Sequence, residues 1–373
     1  MWLSRSIIKL ILAVGLLPVV SAFGAVQACT LFPLPQGLSN HAVAWTYADG
    51  AGCGAGIKKT KILVAGGLRG GKTWRHVSKK VFLHEDDGKG WKIMPDLPMK
   101  ERGVLAATAV SVKGKFYIMG GYTVAPDGAE KSTPYVFYFN DKTKKYRRMA
   151  NMPVPVDDTV SFTYQDRYIY LVSGWHDTDN VQHVQVYDTL KNTWSMATPF
   201  PGKAVFGHAG GIVGNRFIIA DGVGVFGLSD SGRRQYRTVN QQWMGTIDAD
   251  NPRLITWQRL PKLPGKGNYR MAAVGDAAQD RIIFTGGTSN AYNYSGIGYN
   301  GVPSQPTAHT WAWDFKSGQW QVLKNWSEAT MDHRGLVMAY GRWYTVGGMG
   351  RDQKLLKRAI PWSWDVKQKK QEK

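Results

Sequence analysis

Six short polar segments recur along this 373-residue chain and hold most of its candidate chemistry: GLSNHA, KERG, VDDT, VFGH, GNYRM and DHRG. Arg102, Arg270 and Arg334 fall in three of them and are read as equivalent positions. A guanidinium fork suits bidentate binding of a carboxylate, so three converging arginines would hold an acidic sugar or another carboxylated ligand. The alternative is that each arginine bonds to carbonyls or acids of neighbouring loops. Asp158 and His208 are candidate general acids or bases, because imidazole titrates near neutrality. His333 shares that candidacy, and it joins His41 and Tyr269 as an expected ligand contact. For the histidines the competing role is a satisfied structural one.

Other residues point to sugars. The insertion NAYNYSGIGYNGVPSQP (residues 290–306) sets three tyrosines among glycines and asparagines. Flat aromatic faces stack on sugar rings while amides satisfy hydroxyls. Trp175 and Tyr122, just past their glycines, are expected to face the same way. The stretch WHDTDNVQH offers His176, Asp177, Asp179 and His183, but at no recognised ligand spacing, so neither a metal nor any other cofactor is expected.

The elements that must position these residues are visible as a repeat. ILVAGG, FYIMGG, IYLVSG, FIIADG, IIFTGG and WYTVGG recur roughly 50 to 65 residues apart, a solenoid or propeller period. Each copy continues through a variable loop to a strand such as VQVYD or WAWD, then a polar turn and an aromatic, as in YDTLKNTW and WDFKSGQW. An LP or MP element and one more strand lead to the next glycine pair. This predicts four strands per blade and an all-β chain, with the aromatics packed between neighbouring blades. The six segments above would then join each outer strand to the next inner strand and open on the central channel.

In these motifs the chain resembles the kelch-repeat β-propeller family, in register over essentially everything after the first residues. The resemblance implies a six-bladed ring. The last copy, ending AIPWSWDV, lacks an outer strand, and LFPLPQGLSNHAVAW near the N-terminus is expected to supply it. More distantly the chain resembles bacterial six-bladed sialic acid mutarotases (N-acetylneuraminate epimerases). That resemblance implies an Asn-Gly-Glu element in the fourth blade, whose glutamate acts with a nearby arginine. Here the element reads Asp221-Gly222-Val223, and the nearest arginines are Arg233 and Arg234. The catalytic glutamate is therefore missing, and Asp221 could take its place only with a shift of the loop backbone. A galactose oxidase-type copper site, which needs a cysteine-linked tyrosine, is excluded because both cysteines lie near the N-terminus.

The ends and the charge suggest a location. Arg5 and Lys9 precede an apolar run that closes in small residues, the order of a cleaved secretory signal over residues 1–22. The propeller is assigned to residues 29–366 and a basic tail to 367–373. Cys29 and Cys53 would then meet in an oxidising compartment and are expected to form a disulfide. Cleavage after Ala28 would instead leave Cys29 first, as in a lipoprotein anchored to the outer membrane. The formal net charge of +20 favours anionic partners. Export makes nucleic acid the least suitable of these, and a membrane becomes a partner only if Cys29 is lipidated.

The sequence thus reads as a periplasmic or secreted kelch propeller that binds an anionic carbohydrate or cell-envelope component as a binding or scaffold protein. The alternatives are a sugar mutarotase or epimerase using Asp158, His208 and Asp221, and a protein-interaction platform. Mass spectrometry of protein from the native host is expected to show a chain lacking residues 1–22 with Cys29 bonded to Cys53. A diacylglycerol on Cys29 would establish the lipoprotein alternative instead.

Overall fold

The computed structural model describes residues 29–53 and 56–362. The expected leader 1–22, the tail 367–373 and the last few residues of the propeller region lie outside the described residues. Those described form an all-β ring of six antiparallel sheets, five of four strands and one of three, with small two-stranded hairpins added on three blades.

In every blade the second strand is the apolar run before the glycines, as in Lys115–Met119, Arg216–Ala220 and Arg281–Thr285. It pairs on both edges, for example Ile282 with Gly275 and with Trp313. Sheets of neighbouring blades cover both its faces, so Ile282, Ile283 and Phe284 are all fully buried. That double burial is why these strands read as unbroken hydrophobic runs instead of alternating ones. Outer strands such as Lys145–Arg148 are largely solvated. The aromatic after each polar turn reaches back to the preceding blade. Tyr146 donates to the Pro95 carbonyl at 2.7 Å, Trp194 to Ala150 at 3.0 Å and Trp320 to Pro261 at 2.7 Å.

The glycine pairs join the blades. The second glycine of each pair donates its N–H to the following blade, as Gly67 does to Val104 at 2.8 Å and Gly174 to Val205 at 2.9 Å. Its φ lies between 81° and 118° in all six copies, beyond the left-handed region that side-chain-bearing residues tolerate. A Cβ on Gly121 would sit 2.5 Å from the Leu105 carbonyl oxygen. The first position of the pair is less demanding. Ser173 and Asp221 occupy it at φ 56° and 60°, within reach of ordinary residues. The IYLVSG and FIIADG variants therefore change only the position that accepts a side chain.

The ring closes through the N-terminal segment. Gly348 donates to the Leu38 carbonyl at 2.8 Å, the sixth member of the same series. Leu31, Leu34 and Leu38 are buried with Ile62 and Phe82 of the first blade and Val337 and Tyr344 of the sixth. One expectation needs correction. The segment 30–35 is not itself the outer strand of the sixth blade, which among the described residues has three strands, Val337–Ala339, Arg342–Val346 and Ala359–Pro361. Leu34 donates to the Lys357 carbonyl at 2.6 Å, just as Trp326, which follows the outer strand of blade five, donates to Ala308 at 2.9 Å. Leu34-Pro35 is thus the LP element. Cys29 and Cys53 are joined, with Cα atoms 5.7 Å apart, tying this segment to the first blade.

Replacing Leu34 by alanine should cost about 2–5 kcal/mol, because a side chain 2% exposed would leave a cavity at the closure. Deleting Thr30–Pro35 should lower the melting temperature further. An unchanged melting temperature in either variant would show that this segment does not hold the ring shut.

Candidate functional site

A ring of six residues, one per blade, floors the face that carries the glycine loops. Asn40, Ala106, Asp158, Gly207, Arg270 and Asp332 all have left-handed backbones, with φ between 50° and 69°. Their amides run blade to blade. Ala106 donates to Asn40 at 3.0 Å, Asp158 to Ala106 at 3.1 Å, Gly207 to Asp158 at 2.8 Å and Arg270 to Gly207 at 2.7 Å. The residue before each ring member forms a bridge with the one just past a glycine pair, as Leu105 does with Tyr122 and Asp157 with Trp175.

This register corrects the reading of the arginines. Arg270 is a ring member, Arg334 lies two residues past ring member Asp332, and Arg102 lies four residues before ring member Ala106. Arg102 is exposed, with its guanidinium 5.2 Å from the Trp74 ring, and does not converge with the other two. Arg270 and Arg334 do meet, but on protein carboxylates. Arg270 Nη2 is 2.5 Å from Asp158 Oδ2, and its Nη1 is 2.9 Å from Asp332 Oδ1. Arg334 Nη2 lies 2.7 Å from Asp158 Oδ1 and also donates to the Asn40 amide oxygen. Burial alone would raise the Asp158 carboxyl, but Arg270 and Arg334 outweigh it and hold the group below its ordinary value. Asp158 is therefore a fixed anion between two cations, not a proton shuttle.

The histidines are structural as well. His41, His208 and His333 each follow a ring member and are buried. His208 Nε2 donates to the Val172 carbonyl at 2.8 Å, and His333 Nε2 is 2.9 Å from the Thr330 hydroxyl. Burial pulls His208 and His41 down to about 4 and His333 to about 3, with Arg334 adding to the shift in each case. All three are neutral at pH 7 and poorly suited to general-base work there. Asp221 sits apart, between blades four and five. It accepts from the Asn268 amide at 2.8 Å and from Gln242 Nε2 at 2.6 Å. Desolvation pushes it up to about 7, against the donors around it. It braces the junction and does not reach the pocket described next.

Above the ring lies a pocket of about 50 Å³, reached by Asp158 and Arg270 from its floor. Trp175, Phe206, Tyr236 and Tyr299 wall it, with Tyr122 and Tyr294 beside them. Tyr299 belongs to the tyrosine-rich insertion and stacks on Tyr236 at 4.1 Å. Tyr269 is buried behind this wall, 5.5 Å from Phe206, so it supports the pocket without facing a ligand. Two further carboxyls complete the lining, Asp157 of the VDDT segment and Glu130, which the sequence reading does not single out. Asp157 is buried and pushed well above the usual carboxylate range by desolvation and by adjacent Asp158, with the Ser132 hydroxyl, 2.7 Å away, opposing. Glu130 overhangs from the hairpin Tyr122–Val124 and Glu130–Ser132. Desolvation, reinforced by Asp158 and opposed by Arg270, pushes its carboxyl up to about 7, although the residue as a whole stays exposed.

Two residues of the WHDTDNVQH stretch are tied into the neighbouring loops. His176 donates to the Pro155 carbonyl at 2.6 Å, and Asp177 accepts from the Ser132 amide at 2.9 Å. The central channel beneath the ring holds a cavity of about 260 Å³, lined by inner strands rich in glycine, alanine and serine, with Arg334 along it. A larger cavity of about 510 Å³ lies at the side of blade five and contains none of the expected site residues. Glu130 lies on a short hairpin strand that only some blades carry after their glycines, where the repeat pattern gives no signal.

Residues 105–153, which cover the second blade, match the kelch motif family. The second blade thus carries a kelch motif, and the described residues form a six-bladed propeller. Kelch-like protein 15 of Gallus gallus is 24% identical over 174 residues, covering 46% of this chain and 33% of that protein. Kelch-like protein 26 of Danio rerio is 23% identical over 200 residues, 52% of this chain and 32% of that one. The chain therefore spans about a third of the length of the curated relatives it matches. A solved structure titled "Structure of YjhT" superposes with a TM-score of 0.69 over 90% of this chain and 97% of that one. At 15% identity it shows the shared fold alone.

Replacing Asp158 by asparagine should cost about 3–5 kcal/mol, since it leaves two buried guanidinium groups short of a counter-charge. Chemical unfolding of the purified variant measures this. A loss below about 1 kcal/mol would match a solvated surface pair and contradict the buried lock.

Proposed function

We propose that this chain is a recognition protein that binds a carbohydrate-type ligand on the glycine-loop face, with the small aromatic pocket as its anchor. The observation that carries this reading is the convergence of Trp175, Tyr236 and Tyr299 with Asn293, Glu130 and Asp157 over a floor whose charges are already paired. Aromatic faces and polar acceptors together suit a hydroxylated ring. A void of about 50 Å³ accepts a protruding group and not a whole ring, since one ordered water takes roughly 10–15 Å³ of such space. An extended ligand spread over the surrounding loops fits this better than a free monosaccharide.

Selection for an acidic sugar by the buried arginines loses its physical basis, because both Nη groups of Arg270 are taken by Asp158 and Asp332. Export to an oxidising compartment is part of the same proposal, supported by the apolar leader and by the Cys29–Cys53 bond. A mutarotase remains the second reading. Glu130, pushed up to about 7, lines one pocket with Asp157, which is raised well above the usual carboxylate range, and a carboxyl near neutrality suits acid–base work at pH 7.

Titration of immobilised neutral and acidic oligosaccharides is expected to show binding that does not require an acidic residue. It should weaken about tenfold or more in Trp175→Ala with folding intact. Anomer exchange followed by NMR on the same protein should stay at the uncatalysed rate. Binding confined to acidic sugars and unaffected by Trp175→Ala would contradict the recognition reading, and accelerated exchange lost in Glu130→Gln would favour the mutarotase.

A further inference from the structure

The pocket has a charge preference opposite to that of the chain as a whole. Three carboxyls line it, Glu130, Asp157 and Asp158, against one guanidinium, Arg270. That guanidinium is already shared between Asp158 and Asp332. An anion entering the pocket meets excess acid, whereas a cation meets two carboxyls, Glu130 and Asp157, that no cation pairs directly. Desolvation and the neighbouring Asp158 raise both above the usual carboxylate range against the pull of Arg270, and a positive group beside them would favour their charged forms.

The walls point the same way. The negative face of an aromatic ring attracts cations within about 6 Å of its centre. This site already does so with the chain's own residues. Arg234, on the hairpin that carries Tyr236, stands 5.6 Å from the Trp175 ring at the rim. Arg270 lies 4.7 Å from Tyr269 and 5.1 Å from Tyr292 behind the wall. The space available, about 50 Å³, matches a small head group.

We infer that the aromatic pocket over the ring selects an alkylammonium head group, with Glu130 and Asp157 as its counter-charges and Trp175 and Tyr236 as its cage. The inference rests on the recognition reading above and narrows it. Within a carbohydrate, the group is the free amine of an amino sugar; the same chemistry is carried by a lysine side chain. Arg234 acts as a rival cation that an incoming ammonium displaces from the Trp175 face.

The test is an NMR titration of the full chain with four probes: n-butylammonium, 1-butanol, glucosamine and glucose. The charged member of each pair should bind about tenfold more tightly than its neutral counterpart. Glu130→Gln, at an exposed residue, should abolish that preference, while Arg234→Gln, also exposed, should tighten ammonium binding severalfold. Glucosamine binding more tightly than butylammonium would identify the sugar-borne amine, and equal binding would show that the head group suffices. Butanol or glucose binding as well as the charged partners, an ammonium preference that survives Glu130→Gln, or no ammonium binding at all would overturn the inference. Glucose bound as well as glucosamine would leave the recognition reading standing. Failure of all four probes together with the immobilised oligosaccharides would remove both.

Discussion

One backbone requirement recurs six times and the rest of the molecule depends on it: a residue at φ 81° to 118° whose N–H bonds to the next blade. Glycine alone meets this without strain. Because the bond falls at the same place in every blade, it fixes the rotation between neighbouring sheets. That rotation in turn brings six left-handed residues into one ring. Closure follows from the same bond, since Gly348 finds in Leu38 what every other second glycine finds in the blade after it. No strand exchange is needed for that contact, only an extended N-terminal segment held by buried leucines.

The ring places charges where solvent cannot reach them, and this decides what its face can do. Asp158, Arg270, Asp332 and Arg334 come from three blades and are nearly inaccessible, with side-chain exposures of 6% or less. Buried ions of this kind are tolerable only when they neutralise one another. The two cations and two anions form a set without net charge, so the floor is rigid and electrically quiet. Above it stand the rings of Trp175 and Tyr236 and the carboxyls of Asp157 and Glu130, which line the pocket. A surface read as basic from its arginines becomes, at the pocket itself, an acidic and aromatic one.

The sequence announced the blades more clearly than the site. Gly-Gly elements, LP elements and turn aromatics are tied to backbone geometry and recur in register, so the blade count and the closing role of the N-terminus could be read from them. The tyrosine-rich insertion also announced itself, and Tyr299 does line the pocket. The ring carried no such mark. Its members are Asn, Ala, Asp, Gly, Arg and Asp, held by φ and not by side-chain type, so an alignment of KERG with DHRG by their shared Arg-Gly is displaced from the ring register by several residues. The partners of Arg270 lie 112 and 62 positions away in sequence, and nothing local pairs Asp158 or Asp332 with it. Asp221 looked like a substitute catalyst because it breaks the glycine pattern, yet the first position of the pair accepts a side chain, and the aspartate spends its oxygens bracing Asn268 and Gln242.

The central claim is that the six-residue ring is a locked floor and not a flexible set of surface loops. Hydrogen exchange at the Ala106, Asp158, Gly207 and Arg270 amides reports on it directly, because each donates to the neighbouring blade. If the account is right, these amides exchange only through global unfolding, as slowly as those of the buried second strands. Exchange as fast as that of the exposed turn around Asp127 and Gly128 would contradict it.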